Sequence, residues 1–194
     1  YEVIREVEII YSSSLSANQK LHAYKFFEHS KFIFYFRNTF IPFYIFEMAS
    51  CAWDIQLRSF HKKILGLQDY ASTPYLYCPK AFGGVGITSL KDEYYVQSIT
   101  HSFYLLNSTD PNIIAANDAT LRRPLGDMNI THSQVFDWLN DGFRAHVNTS
   151  WWNKTQHAIH DLQKYHKIIV NFKYSNPGVI LTIKQQLQNE NHKF

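Results

Sequence analysis

Apolar residues recur at helical spacing along most of this chain and switch to strict alternation only near its end. Residues 1–11 fit a strand or a short helix, and the stripe Val3, Ile4, Val7 and Ile10 favours the helix. Ser12-Ser13-Ser14 breaks it. Ser16 and Gln19 then form a capping box, in which hydroxyl and amide each satisfy an orphan backbone N–H. Behind the box Leu21, Tyr24, Phe27 (or Glu28) and Ile33 follow the helical period, with Lys20, Lys25, His29 and Lys31 on other faces. No Gly or Pro intervenes before Pro42, so the stretch 14–37 predicts a helix of roughly 22 residues, about 33 Å long. Its closing turn, Phe32-Ile33-Phe34-Tyr35-Phe36, is apolar almost all round and is expected to be buried on most sides. This helix is the expected organiser of the fold.

Pro42 opens a second helix over 43–65, with Ile45, Met48, Ala49, Ala52, Gln56, Phe60 and Ile64 in phase and Gly66 at the C-terminal cap. Residues 67–87 form a connector dense in Tyr, Pro and Gly, where Tyr75-Leu76-Tyr77 and Val85 to Ile87 are expected to pair as a short hairpin. A third helix covers 89–107, buried through Tyr95 or Val96, Ile99, Phe103 and Leu106. A fourth starts at Asp110 as N-cap with Pro111 in its first turn and ends before Pro124. Thr131 and Gln134 make another capping box, opening a short helix through Val135, Trp138 and Leu139 that stops near Gly142. Thr149 or Ser150 starts a sixth helix over 151–165. From 167 to 183 the period changes: Val170, Phe172 and Tyr174 alternate with polar residues, as do Val179, Leu181 and Ile183 beyond Ser175-Asn176-Pro177-Gly178, which reads as a β-hairpin. The expected fold is therefore mainly α, a helical bundle of about five to six helices with a small C-terminal β-hairpin and a polar tail.

A length of 194 residues sets one domain, or one plus an appendage, and 45% apolar composition is enough for a core. The net charge of +3 permits a nucleic-acid partner without requiring one, so local clustering must carry that argument. Cys51 and Cys78 make neither a disulfide framework nor a zinc site, and a reducing, intracellular compartment, nuclear or cytoplasmic, is the simpler expectation. The sequons at Asn107, Asn129, Asn148 and Asn153 are read as chance matches in a chain rich in Asn, Ser and Thr. No signal peptide opens the chain, which begins at Tyr1 and reads as a piece of a longer protein. The longest apolar run, 32–46, is broken by Arg37, Asn38 and Pro42, so it is read as core and no membrane partner is expected.

Catalytic patterns are scarce. There is no nucleophile elbow, phosphate loop or His-Glu-x-x-His, and Gly83-Gly84-Val85-Gly86 lacks dinucleotide-binding spacing. His157, His160 and Asp161 share a helix face near His166, but one helix supplies too few ligands, so no catalytic residue, metal or cofactor is assigned. Most aromatics sit at core spacing. Trp151 and Trp152 are exceptions, because neighbours on a helix cannot both face one core.

Three blocks arrive in order: Ser14-Leu-Ser-Ala-Asn-Gln-Lys-Leu-His-Ala, Ile55-Gln-Leu-Arg-Ser-Phe-His-Lys-Lys-Ile-Leu-Gly-Leu, and Ala71-Ser-Thr-Pro-Tyr-Leu-Tyr running on to Gly83-Gly84-Val85-Gly86-Ile87. Together they resemble the region just after the polymerase palm in reverse transcriptases of non-LTR retrotransposons, closest to the site-specific, restriction-like-endonuclease group. The resemblance covers about residues 12–106, and Asn18 stands where the family usually carries Trp. It implies a thumb-like bundle over 1–107 and a linker-like segment over 108–194. It also implies grip on an RNA–DNA or RNA primer–template duplex, and packing on the palm of the parent polymerase. The chain has no Asp-Asp pair, so the palm motif lies elsewhere. On this reading Lys20, Lys25, Arg37, Arg58, His61, Lys62 and Lys63 are candidates for phosphate contacts, which hold a duplex in register without reading sequence. The alternative expectation is a helical protein-interaction scaffold with the Trp151–Trp152 pair as its hot spot.

Overall fold

A computed structural model describes residues 2–39, 41, 43–125 and 151–170, and these are mainly helical, with no strand among them. Helix α1 is Glu2–Ser12. Helix α2 runs without a break through α-helical Ala17–Ala23, a π-helical turn Tyr24–Glu28 and α-helical His29–Asn38. Helix α3 is Phe43–Ile64, α4 is the short Thr73–Tyr77, and a 3₁₀ turn covers Lys80–Phe82. Helices α5 (Leu90–Leu106), α6 (Pro111–Leu125) and α7 (Trp151–His166) complete the set. The predicted helix at 131–142 and the predicted hairpin beyond Val170 lie outside the described residues. Within 167–170, Ile168 and Val170 are buried and Ile169 is exposed, with no strand among these residues.

The starts and stops obey local chemistry. The Gln19 N–H donates to Ser16 Oγ at 3.4 Å and the Ser16 N–H donates to Gln19 Oε1 at 3.0 Å, so the capping box forms. Gly66, at φ +67°, ends α3 in a Schellman motif: Leu67 N–H donates to the Lys62 carbonyl (2.9 Å) and Gly66 N–H to the Lys63 carbonyl (3.2 Å). Ser89 Oγ accepts from Asp92 N–H at 3.1 Å, and Asp110 Oδ1 accepts from Asn112 N–H at 2.8 Å. Helix α6 runs to Leu125, one residue past Pro124, instead of stopping before it, and the proline forgoes its own N–H bond to the carbonyl four residues back.

Four packing expectations need correction. The π turn in α2 adds a residue and rotates the remainder of the helix. The buried face is therefore Leu21, Tyr24, Glu28 (the expected alternative to the exposed Phe27), Phe32 and Phe36, with Ile33 only half-buried. The closing turn of α2 is packed on one flank only: Phe34 and Tyr35 are 63% and 49% exposed. Helix α3 carries two apolar faces. The one that packs holds Phe46, Ser50, Leu57 and His61, while Ile45 and Met48 of the expected stripe face outward. Finally, Tyr75-Leu76-Tyr77 and Val85 to Ile87 do meet, but not as a hairpin. The first segment is a helical turn, and the N–H groups of Val85 and Ile87 donate to the Tyr75 (3.1 Å) and Leu76 (3.0 Å) carbonyls.

Helices α2 and α3 form an antiparallel pair, fixed by ring contacts Phe36–Phe46, Phe32–Trp53 and Tyr24–His61 with centroids 5.2, 5.8 and 4.8 Å apart. The organising element is α5 rather than α2. Its residues from Asp92 to Ile99 are all buried, and it packs against α2, α3, α6 and α7. Tyr94 stacks on Phe46 at 3.6 Å with Phe36 edge-on at 5.7 Å. Against α7 the interface is small and hydroxylated. Thr155 Oγ1 lies 3.2 Å from the Ser98 carbonyl and also meets Ser102 Oγ, next to fully buried Ala158. Such residues let two helix backbones approach closely while every hydroxyl keeps a partner.

Candidate nucleic-acid interface

The seven candidate cations fall into three environments. His61 is 2% exposed at the α2–α3 contact, with Nδ1 3.1 Å from the Tyr11 hydroxyl. Burial, then the nearby His29 and Lys25, push its pKa down to about 3, so it is neutral and cannot hold a phosphate. Lys62 is 8% exposed, and its Nζ donates to the Asp69 carbonyl at 2.6 Å, closing the loop after α3. These two residues serve the fold. The sequence could not show it, since Lys62 and Lys63 are neighbours in one basic run yet one faces in and the other out.

Arg37 and Arg58 stand apart from the rest. Arg37 is exposed at the far end of α2 from Lys20, about 25 Å away at the helical rise. Arg58 donates from Nε to the Asp54 carbonyl at 3.0 Å and lines a cleft that also holds Asp54 and Asp92. Asp54 Oδ1 accepts the Leu90 N–H at 3.0 Å, while burial raises its pKa to about 6. Acids and bases are mixed there, so that cleft is not a cationic surface.

Lys20, Lys25 and Lys63 remain, at the end of the molecule where α2 begins and α3 finishes. A cleft of about 460 Å³ opens there between Lys25 and the connector, and Lys20 and Lys63 lie outside its lining. Leu21, Leu65 and Val85 give it an apolar floor, and Asn18, His22, Tyr75 and Lys80 stand at its edge. None of its lining residues is acidic. Lys25 Nζ donates to the Gly86 carbonyl at 2.7 Å and the Val85 carbonyl at 3.3 Å, which pins the glycine loop to α2. An ammonium has three donors, so one is left for the cleft. Burial and then the charge of Lys80 lower the Lys25 pKa. His22 stacks on Phe26 at 4.4 Å, and Phe26 is 63% exposed.

The loop geometry that builds this wall demands glycine. A Cβ on Gly84 would lie 2.1 Å from the Cys78 carbonyl oxygen, and Gly86 has φ +66°. His22, Tyr75 and Lys80 were not candidates from the sequence. Neither periodicity nor charge runs mark them, because the cleft is assembled from segments some 60 residues apart.

Among the described residues no group of His, Cys, Asp or Glu is placed to hold a metal. Asp161, on the helix face that carries His157 and His160, accepts the Tyr95 hydroxyl at 2.7 Å. Trp152 is fully buried and its Nε1 donates to Thr120 Oγ1 at 3.1 Å, so the Trp pair is not an exposed anchor. Asn153 is 3% exposed, which leaves no room for a glycan in this fold. No helix among the described residues is long and apolar enough to cross a membrane. Comparison with known protein families, characterised proteins and solved structures finds no match.

Proposed function

We propose that this chain is the thumb-and-linker segment of an RNA-directed DNA polymerase of the non-LTR retrotransposon kind, and that it grips the primer–template duplex while the bond-forming residues belong to the palm of the parent protein. One observation supports this reading above the others. The three blocks that carry the resemblance are separated in sequence, yet each contributes to one basic cleft: Asn18 and His22 from the first, Leu65 from the second, Tyr75 and Val85 from the third. Lys20 and Lys63 flank it in sequence and lie on the two helices that meet there. A cationic end of this kind binds a backbone by charge, independent of base sequence.

The exposed apolar residues Phe34 and Tyr35 on α2, with Ile45 and Met48 on α3, suit a surface covered by another domain, which on this reading is the palm. The same residues are what a protein-interaction scaffold would use, now without the buried Trp152.

Titration of the full chain with an RNA–DNA hybrid at several salt concentrations tests the proposal. Wild type should bind with a clear salt slope, and Lys20→Ala with Lys63→Ala should weaken binding uniformly across sequences. Equal binding by wild type and the double variant, with no salt slope, removes the assignment. Lys62 is left intact because its ammonium closes a loop.

A further inference from the structure

The cleft between the start of α2 and the glycine loop is too small for a duplex, which is about 20 Å across, but its size and chemistry suit a single nucleotide. We propose that it captures one unpaired nucleotide of a single-stranded overhang, with the phosphate at Lys25 and Lys80 and the base against Tyr75 over the apolar floor. This rests on the nucleic-acid reading above and adds a substrate feature to it, the junction between duplex and single strand.

Four observations carry the inference. First, Lys25 and Lys80 face the same space with no acidic lining residue, so their repulsion is relieved by an anion rather than by the protein. Second, Lys25 is already positioned by two carbonyls, which cuts the entropy lost on binding. Third, the floor of Leu21, Leu65 and Val85 is apolar and offers no hydrogen bond, as a base face requires. Fourth, Tyr75 is 44% exposed at the edge, and Asn18 brings an amide that both donates and accepts, suited to a base edge. Duplex recognition by phosphate contact alone would need neither of the last two.

The experiment compares four probes on the 194-residue chain: a blunt RNA–DNA hybrid, the same hybrid with a short single-stranded overhang, the single strand alone, and inorganic phosphate as competitor. The overhang should tighten binding. Lys80→Ala should remove that gain and lower the single-strand salt slope by about 0.7. Tyr75→Ala should weaken the overhang and single strand by about tenfold, and by more than it weakens the blunt hybrid. Both residues are exposed, and a thermal melt of each variant confirms that the fold is intact. Equal affinity for blunt and overhang hybrids, insensitive to Lys80→Ala and Tyr75→Ala, overturns this inference and leaves the duplex reading standing. Binding of the overhang and single strand with none of the blunt hybrid sinks the duplex reading and keeps the cleft. Binding competed away by millimolar phosphate, with no effect of Tyr75→Ala, reduces the cleft to a phosphate site and also overturns the nucleotide proposal.

Discussion

Two lysines in this molecule are both drawn out of water and put to opposite uses. Lys25 is half-buried at the mouth of a cleft, donates to two loop carbonyls and faces a second cation, Lys80. Lys154 is 2% exposed, donates to the Phe36 carbonyl at 2.8 Å and sits 4.4 Å from the ring centroids of both Tyr94 and Trp151. The first lines an open cleft with two of its three donors committed to loop carbonyls. The second has its ammonium boxed by rings and a carbonyl and can only hold helices together, tying α7 to the end of α2 across α5. The residue type is the same; access decides the role.

The largest effect that separates them is on stability against pH. Burial lowers the Lys154 pKa from its ordinary 10.5 to about 7. Between those values the unfolded chain binds a proton that the folded chain does not, so stability rises with pH and the cost of the buried charge is full below about 7. Chemical denaturation at pH 7 and pH 9.5 should differ by about 3 kcal/mol in favour of the higher pH. Above pH 10 the trend reverses, because burial holds the Tyr11, Tyr24, Tyr77, Tyr94 and Tyr95 hydroxyls above their ordinary pKa of 10.0 and only the unfolded chain then ionises them. Lys154→Met should flatten most of the rise and Lys25→Met only a small part. Equal flattening by the two variants would erase the distinction.

Next in size is the loop that Lys25 holds. Gly84→Ala places a methyl 2.1 Å from a backbone oxygen that has no rotamer to escape with, so it should cost about 2 kcal/mol in denaturant unfolding. A cost that large at a loop position would show that the cleft wall is rigid. Gly83→Ala meets no atom within 4 Å and is opposed only by its left-handed φ of +84°, so it should cost less, about 1 kcal/mol.

How far these features were legible in the sequence depends on the range of the forces behind them. Caps at Ser16, Asp110 and Gly66 rest on bonds within a few residues and formed as read, while Ser89, read as the first residue of its helix, is the cap. Faces were harder. On α3 both Ile45–Met48 and Phe46–Leu57 are apolar, and the choice fell to the face whose aromatics meet Tyr94, a partner 48 residues from Phe46. On α2 the π turn changed the phase without any Gly or Pro to announce it. The basic run Arg58, His61, Lys62 and Lys63 looked like one surface and is three environments, because sequence gives charge but not direction. Lys80, Tyr75 and His22 join the cleft only through tertiary contact.

A smaller test concerns the other buried cationic position. His61 is kept neutral with its pKa pushed down to about 3, so its ring resonances should not titrate above pH 4. Here the sign matches the Lys154 pattern: between about 6.5 and 3 only the unfolded chain is protonated, so stability falls as pH drops through that window. Tyr11→Phe removes the hydroxyl that meets His61 Nδ1 and should cost about 1 kcal/mol with no loss of nucleic-acid affinity.

The smallest stability effect carries the sharpest functional reading. Lys20 and Lys63 have no ion pair among the described residues, so replacing both with Ala should leave the melting temperature nearly unchanged, within about 0.5 kcal/mol. If both touch duplex phosphates, the same double change lowers the slope of log affinity against log salt by about 1.8. Lys154 gives the opposite pair of outcomes: a large change in stability and an unchanged slope, because a boxed ammonium never meets the backbone of a ligand. Should Lys154→Met alter the slope as Lys20→Ala and Lys63→Ala do, binding would depend on the packing of α7, and the division between a gripping end and a structural core would fail.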